Sequence, residues 1–386
     1  MKSDTAQNTL TKRKLSVPPP PSSSSSSTSS TTNISINDEN DEPTLDHCTP
    51  VTTPLKRRLQ TLIVACHLTS FVLFSIFVLF IISAPIFWGM LIPYLIYFTF
   101  DRSPANGNVV KRYSLWFRSL PIWKYYISYF PITLAKTCDL KPTFNKDTGK
   151  AEGPRYIFGY HPHGIAALGA FGAFATEALG WNEKFPGIPV CLMTLVTQFI
   201  IPFYRDYLLA LGITSVSRKN SLKVLSNNYS ICIVVGGARE SLLSSSDSTE
   251  LILNKRRGFV KLALETGNVS LVPVFAFGED KCYKILRTPD NSVLRKVQFW
   301  VKENFGFTIP LFYARGLFNY DFGLLPFRHP IHVVTGKPIY VEEKIEHPSD
   351  EIIDHYHSLY IEELKNLYYE NREKYHAGNT ELKIVG

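Results

Sequence analysis

The stretch most able to do chemistry is Arg155-Tyr156-Ile157-Phe158-Gly159-Tyr160-His161-Pro162-His163-Gly164. Two imidazoles two positions apart, punctuated by proline and glycine, close a short aromatic and β-branched run. An imidazole of ordinary pKa, ~6.5, is largely neutral at pH 7 and can take a proton from an alcohol. The run before it reads as a buried strand, and the ends of strands are where open α/β sheets hold their ligands. Residues i and i+2 of a strand share a face, so His161 and His163 could instead bind a metal. No third ligand stands at recognisable spacing, and no metal is expected.

Two further stretches add to this one. Ile231 to Val235 reads as a strand that runs into Gly236-Gly237-Ala238-Arg239-Glu240. Paired glycines let backbone approach a ligand closely. Glu240 beside them could orient an imidazole or accept a hydrogen bond from a hydroxyl. Lys255 to Ala263 looks like the opening of a helix that Gly267 closes. Phe259, Leu262, Ala263 and Thr266 fall on one face of it, which leaves Arg257 and Lys261, four apart, together on another. Cations at a helix start suit a phosphate. Several chemistries are excluded: there is no G-x-S-x-G turn, no P-loop and no G-x-G-x-x-G fingerprint. The six cysteines are scattered without a C-x-x-C pair and read as free thiols of a reducing compartment.

These residues need a scaffold. Strand-like runs recur at 156–160, 190–196, 231–235, 269–277 and 331–335, with helix-compatible stretches between several of them. The alternation predicts an α/β class with a mixed, largely parallel sheet and flanking helices, over residues 104–386. Pro273 inside one run predicts an edge strand or a bulge there.

The chain before that domain divides in two. Residues 1–54 hold Pro18 to Pro21, a serine-rich block from Ser22 to Ser30 and the acidic patch Asp38 to Glu42, a composition too poor in apolar side chains to order itself. No compact apolar core of a cleavable signal peptide opens the chain. Composition then changes abruptly: Asp, Glu, Lys and Arg are absent from 59–100, long enough for two spans of ~20 residues. Pro85 and Gly89 mark the turn of a membrane hairpin over 55–103. Lys56, Arg57 and Arg58 precede it while Arg102, Lys111 and Arg112 follow, which puts both ends on the cytosolic side. Its second segment, at ~15–17 residues, is short for a full span and leaves a re-entrant path open. A net charge of +8 and a pI near 9.0 suit a membrane surface or a phosphate-bearing ligand. Nucleic acid would match the charge but not the hairpin, and is not an expected partner.

The ordered set of motifs resembles the type-2 diacylglycerol acyltransferase family, which also contains monoacylglycerol and wax-ester acyltransferases. The resemblance rests on Tyr129-Phe130-Pro131, His161-Pro162-His163-Gly164, Gly236 to Glu240, Arg257-Gly258-Phe259-Val260-Lys261, Leu271-Val272-Pro273-Val274 with Phe277-Gly278-Glu279, and Arg315-Gly316-Leu317-Phe318 through Gly336-Lys337-Pro338-Ile339. It spans roughly 85–386 and keeps the motif order. Two departures stand out. Phe71-Val72-Leu73-Phe74 does not reproduce the family's F-L-x-L element, so no lipid-binding role is assigned there. Related glycerophospholipid acyltransferases carry H-x4-D, and here Ala166 and Leu168 occupy the aspartate positions.

The resemblance implies acyl transfer from acyl-CoA, a co-substrate and not a resident cofactor, to diacylglycerol, in the endoplasmic reticulum membrane and on lipid droplets. It implies a fold like that of glycerolipid acyltransferases. His163 is then the preferred base, with His161 either supporting that ring or holding the oxyanion. Glu240 would orient the base in place of the missing aspartate, with Glu177 in reserve. Arg257 and Lys261 would grip CoA phosphates, and the Gly236-Gly237 backbone would line the thioester site. Direct transfer is expected, since no activated Ser or Cys is in evidence. A monoacylglycerol or fatty-alcohol acceptor, and a non-catalytic droplet-anchoring, lipid-binding role, are the alternatives. Homo-oligomerisation is left open, and Leu382 to Val385 could act as a retention signal.

Overall fold

Runs of Val, Ile, Leu and aromatic residues form strands where both faces can be covered, because branched and flat side chains pack well on a pleated surface. That rule accounts for the central sheet. A computed structural model describes residues 54–237, 240, 248–285, 292, 296, 300, 312–317, 322–378 and 380–386. Of the stretches singled out above, residues 1–53, Ala238, Arg239 and Phe318 lie outside the described residues.

The strands are β1 (Ile132–Lys136), β2 (Arg155–His161), β3 (Val190–Thr194), β4 (Ile213–Ser215), β5 (Ser230–Val234), β6 (Ser248–Ile252), β7 (Val269–Phe277), β8 (Lys284–Ile285), β9 (Phe312–Tyr313), β10 (Ile331–Thr335), β11 (Ile339–Val341) and β12 (Glu381–Val385). The main sheet runs β1-β10-β7-β2-β5-β3-β4, with β11 also paired to β7. From β7 to β4 every pairing is parallel, and β10 and β11 meet β7 antiparallel. The sheet is therefore mixed and mostly parallel, as the sequence implies.

Of the two readings of Pro273, the edge strand is corrected: it sits in β7, an interior strand flanked on both sides. The bulge reading fits, since Thr335 to Ile339 runs one residue longer than the stretch Leu271 to Val274 that it faces. The missing N–H is tolerated because the partner on that side is interrupted: β10 ends opposite Val274 and β11 begins opposite Leu271. Gly336, in the gap between them, donates its N–H to the Pro273 carbonyl at 2.8 Å.

Alternation along β2 assigns the two faces. Phe158 and Tyr160 meet Phe174, on the buried segment Leu168–Ala175. His161 meets Tyr360, on the long helix Asp350–Asn371. That helix starts at Ser349, whose side chain accepts from the Ile352 N–H at 3.4 Å, and buries the stripe Ile353, His357, Tyr360, Leu364, Leu367 and Tyr368. Beside it lies the helix Gly258–Thr266, closed by Gly267 as expected, with Phe259, Leu262 and Ala263 buried and Arg257 and Lys261 outside. The tail Leu382–Val385 is not a free signal. It belongs to β12, paired in parallel with β6. The five described cysteines, Cys66, Cys138, Cys191, Cys232 and Cys282, are free thiols.

The apolar stretch departs from a two-helix hairpin. It forms helices Leu55–Leu68, Ser70–Ser83 and Trp88–Phe100, with a short turn at Pro85–Phe87. The first two are bent by 70° at Thr69. No single helix among the described residues is long and apolar enough to cross a membrane. The bend follows from packing: Leu55–Leu68 lies on the helix Ile122–Tyr129, buries Gln60 and Val64, and is gripped by Arg328 through Gln60 and Thr61. Ser70–Ser83 and Trp88–Phe100 instead rest on the helix Tyr204–Ala210 through Phe74 and Tyr94, and expose Leu79, Phe80, Met90 and Phe100 on their other sides.

Glu177 is committed to this scaffold. The fully buried Arg118 donates Nε–H to Glu177 Oε1 at 3.2 Å, while its Nη1 donates to the carbonyl of Leu211 at 2.7 Å and its Nη2 to that of Phe174 at 3.0 Å. That engagement removes Glu177 as a reserve partner for the imidazoles. Breaking a buried pair strands the other charge. Arg118→Ala should accordingly lower the unfolding free energy by about 3–5 kcal/mol, measured by denaturant titration in detergent. A loss below ~1 kcal/mol, the value of a surface pair, would show that the pair is not buried.

Candidate active site

β2 ends at His161, and the next three residues turn away over the carboxyl ends of β5 and β7. His161 is fully buried, and its Nε2 lies 2.9 Å from the Tyr360 hydroxyl. That hydroxyl has one proton and gives it to the Gly159 carbonyl at 3.1 Å. His161 therefore carries its proton on Nε2 and donates it to Tyr360, which leaves Nδ1 buried without a partner. Burial pushes its pKa down to about 3, so the ring stays neutral. In this state His161 touches Tyr360 rather than the other imidazole, and its only N–H is already used.

His163 is only half-buried. Its Nδ1 is 3.0 Å from the Gly164 carbonyl. A carbonyl can only accept, so Nδ1 carries the proton and Nε2 keeps the lone pair. Burial holds this pKa below the ordinary histidine value, and the nearby Arg256 guanidinium adds to the effect. A neutral imidazole with an uncommitted lone pair is the state a general base requires.

Glu240 reaches this loop by a route that the sequence does not show. One carboxylate oxygen accepts the backbone N–H of His163 at 2.6 Å, and the other accepts that of Ile252, in β6, at 3.0 Å. Glu240 thus orients the backbone that carries His163, not the ring itself. It is buried, and burial pushes its pKa up to about 7 against the opposing pull of those two N–H groups. Gly236 is dictated by this carboxylate: a Cβ there would lie 2.0 Å from Glu240 Oε2, at a backbone φ of +105°. The Gly236 carbonyl accepts from Arg256 Nη2 at 3.0 Å.

A second buried carboxylate holds the far side. Glu279 accepts the N–H groups of Leu168 at 2.6 Å and Gly169 at 2.9 Å, and the Tyr160 hydroxyl at 2.9 Å. A Cβ on Gly164, where φ is +57°, would sit 2.9 Å from Glu279 Cγ. The HPHG turn is therefore clamped between two carboxyl groups.

The structure brings together His161, Pro162, His163, Gly164, Gly236 and Glu240. Arg257 caps the nearby helix start but pairs with Asp354 at 2.6 Å, with both groups half exposed, and Lys261 lies exposed one turn on. Tyr129, Phe130 and Pro131 act elsewhere. Tyr129 donates its hydroxyl to the Pro326 carbonyl at 2.7 Å, and the Phe130 carbonyl accepts the Ile331 N–H at 3.1 Å, which fastens this turn to β10. Sequence reasoning missed Arg256, Tyr360 and the role of Glu279. Arg256 sits one residue before the nominated Arg257 and gives no periodic signal, while Tyr360 is far away in sequence. Glu279 stood in a quoted motif with no chemistry attached.

Comparison with known proteins follows the same motifs. The family model described as Diacylglycerol acyltransferase matches residues 78–385. The chain is 62% identical over 387 residues to Diacylglycerol O-acyltransferase 1 of Saccharomyces cerevisiae, covering 92% of this chain and 93% of that protein. It is 45% identical over 322 residues to Diacylglycerol O-acyltransferase 2 of Dictyostelium discoideum, covering 83% and 93%. It is 43% identical over 343 residues to 2-acylglycerol O-acyltransferase 1 of Bos taurus, covering 87% and 98%. No solved structure matches.

The Glu279 carboxyl sets a pH test. Burial raises its pKa from the usual 4.5 to about 7 in the folded chain, so between those values the native state binds more protons than the unfolded one. Stability tied to this group is present below 4.5 and is lost as pH rises through about 7. The melting-temperature advantage of the wild type over Glu279→Gln should therefore grow from pH 8 to pH 5.5, while the buried histidines, whose lowered pKa values act in the opposite direction, affect both proteins alike. An identical slope in both proteins would refute the buried carboxyl.

Proposed function

Because the chain belongs to the diacylglycerol acyltransferase family, we propose that it transfers an acyl group from acyl-CoA to the free hydroxyl of diacylglycerol, with His163 as the general base. The chain is an acyltransferase, and the product is triacylglycerol. The observation that carries the residue assignment is the state of His163: neutral, proton fixed on Nδ1 by the Gly164 carbonyl, Nε2 unshared, backbone pinned by Glu240.

The reaction follows from that state. Nε2 takes the hydroxyl proton as the acceptor oxygen bonds to the thioester carbonyl carbon. The tetrahedral adduct collapses, the carbon–sulfur bond breaks, and the thiolate recovers the proton from the imidazolium. Acyl transfer is direct, and no resident cofactor enters the step. Glu240 and Gly236 position the base, and the Gly236-Gly237 backbone lines the thioester. Arg257 and Lys261, with Arg256 closer in, meet phosphates of CoA. Tyr360 fixes His161, which holds the strand end and does not itself move a proton.

The acceptor is insoluble in water, so the domain works at a bilayer. Support comes from the apolar helices Ser70–Ser83 and Trp88–Phe100 and the turn between them, whose exposed Leu79, Phe80, Ile86 and Met90 need an apolar environment. They enter the endoplasmic reticulum membrane as a hairpin with both ends cytosolic, and also the surface of lipid droplets. The relationship to a 2-acylglycerol acyltransferase supports a second reading, with monoacylglycerol as acceptor.

His163→Ala should cut kcat by about 10²–10⁴ while the protein stays folded and membrane-bound; near-normal triacylglycerol synthesis would remove the base. Arg257→Ala and Lys261→Ala should raise the KM for acyl-CoA more than that for diacylglycerol, and an unchanged donor KM would remove the phosphate assignment. Alkaline carbonate should leave the chain in the membrane pellet, with release to the supernatant the contrary result. Competition between diacylglycerol, monoacylglycerol and a long-chain alcohol ranks the acceptors, and CoA release that depends on His163 excludes a purely anchoring role.

A further inference from the structure

A cavity of about 340 Å³ opens beside Pro162, the residue between the two imidazoles. It lies at the carboxyl end of β7, where that strand meets the start of β10, so it occupies the ligand-binding end of the sheet. Its volume falls in the range of small-ligand sites, ~300–1,000 Å³. None of the residues discussed above as phosphate-binding lines it.

Its walls have two characters. One is aromatic. Phe277 and Tyr375 meet in a tilted pair with ring centroids 5.2 Å apart, and His332 stacks on Tyr375 at 4.7 Å. The other is basic: Lys281, His329, His332 and His376 all line the cavity, against one acid, Asp280. His329 donates Nδ1–H to the Pro330 carbonyl at 2.9 Å, and His332 Nδ1 is 2.7 Å from the Thr133 hydroxyl, so both rings are held in place through one nitrogen and keep Nε2 uncommitted. The three imidazoles lie near enough that His329 and His376 help burial hold His332 below its ordinary pKa, a repulsion that an anion between them would relieve. They do not make a metal site, since no group of three His, Cys, Asp or Glu side chains among the described residues could hold an ion.

We propose that this cavity binds the phosphate-bearing pantetheine end of the thioester donor, with the Phe277, His332 and Tyr375 rings against the pantetheine arm and Lys281, His329 and His376 around the phosphate. The assignment rests on the acyl-CoA reading above and deepens it. A CoA thioester carries phosphate at two separated points, the diphosphate next to pantetheine and the 3′-phosphate on the ribose. Arg257 and Lys261 serve the second, this cavity the first. Pro162 at the cavity wall then places the arm that ends in the thioester next to His163.

A phosphate could also arrive on a lipid headgroup, and the experiment separates the two sources. Labelled CoA is bound to the purified full chain in detergent micelles by equilibrium dialysis, and displaced with 4′-phosphopantetheine, with adenosine 3′,5′-bisphosphate, or with phosphatidate mixed into the micelles. Lys281→Gln should weaken displacement by 4′-phosphopantetheine about tenfold, the value of one charge-assisted contact, His332→Gln should weaken it about threefold through the lost ring contact, and both should change displacement by the bisphosphate less than twofold. Arg257→Gln should show the reverse pattern. Lys281 is exposed, so its variant is expected to fold whatever happens to the His332 variant. Unaltered 4′-phosphopantetheine displacement in Lys281→Gln would overturn the proposal. So would phosphatidate displacing CoA in the wild type but not in Lys281→Gln, which would assign the cavity to a headgroup. Because binding is read without turnover, a chain that binds CoA in this way yet acylates no acceptor would refute the catalytic reading alone.

Discussion

One carboxylate ties the candidate site to the rest of the chain. Glu240 accepts the backbone N–H of His163 with one oxygen and that of Ile252 with the other. Ile252 belongs to β6, which pairs with β12 at the end of the chain, and Leu253 donates its N–H to the Val385 carbonyl at 3.0 Å. The turn that carries His163 is thus fixed through a single side chain to a strand pair outside the main sheet. A buried carboxylate is expensive to keep unless its oxygens are satisfied, and here both are. Removing either N–H would leave one buried oxygen unsatisfied, which is why this contact and not a looser packing interaction sets the position of His163.

Burial governs the protonation states around it. Both imidazoles are held neutral by desolvation, while Glu240 and Glu279 are pushed up to about 7. The two histidines nevertheless differ in access. His161 uses its N–H on Tyr360 and lies sealed beneath the turn, whereas His163 is half-exposed with a free lone pair. The same motif therefore supplies one residue that builds the strand end and one that is available for proton transfer. Where the Asp five positions on is missing, Glu240 holds the backbone N–H of His163 instead.

Much of the scaffold was legible in the sequence, and the reasons are local. β7 and β10 coincide with the apolar runs 269–277 and 331–335, since strands buried on both faces leave continuous hydrophobic stretches. The Gly267 stop and the buried face of the Gly258–Thr266 helix were equally readable. What failed depended on partners far away in sequence. Pro273 looked like an edge residue because nothing local reveals that its neighbour breaks between β10 and β11. The uncharged stretch 59–100 looked like two spans, yet its first part packs on the helix Ile122–Tyr129 and is held by Arg328. At the site, His163 and Glu240 were legible as residue types, while Tyr360, Glu279 and Arg256 gained their roles only through tertiary placement.

The most direct test of the central claim is the turnover of Glu240→Gln at saturating donor and acceptor. An amide offers one acceptor oxygen where two N–H groups need one each, and turns a donor against the other. If Glu240 positions the base through its backbone, kcat should fall about 100-fold or more, within the range that positioning supplies, while the KM for acyl-CoA stays within about twofold and the protein melts within a few degrees of the wild type. Wild-type kcat in a folded Glu240→Gln protein would contradict the account.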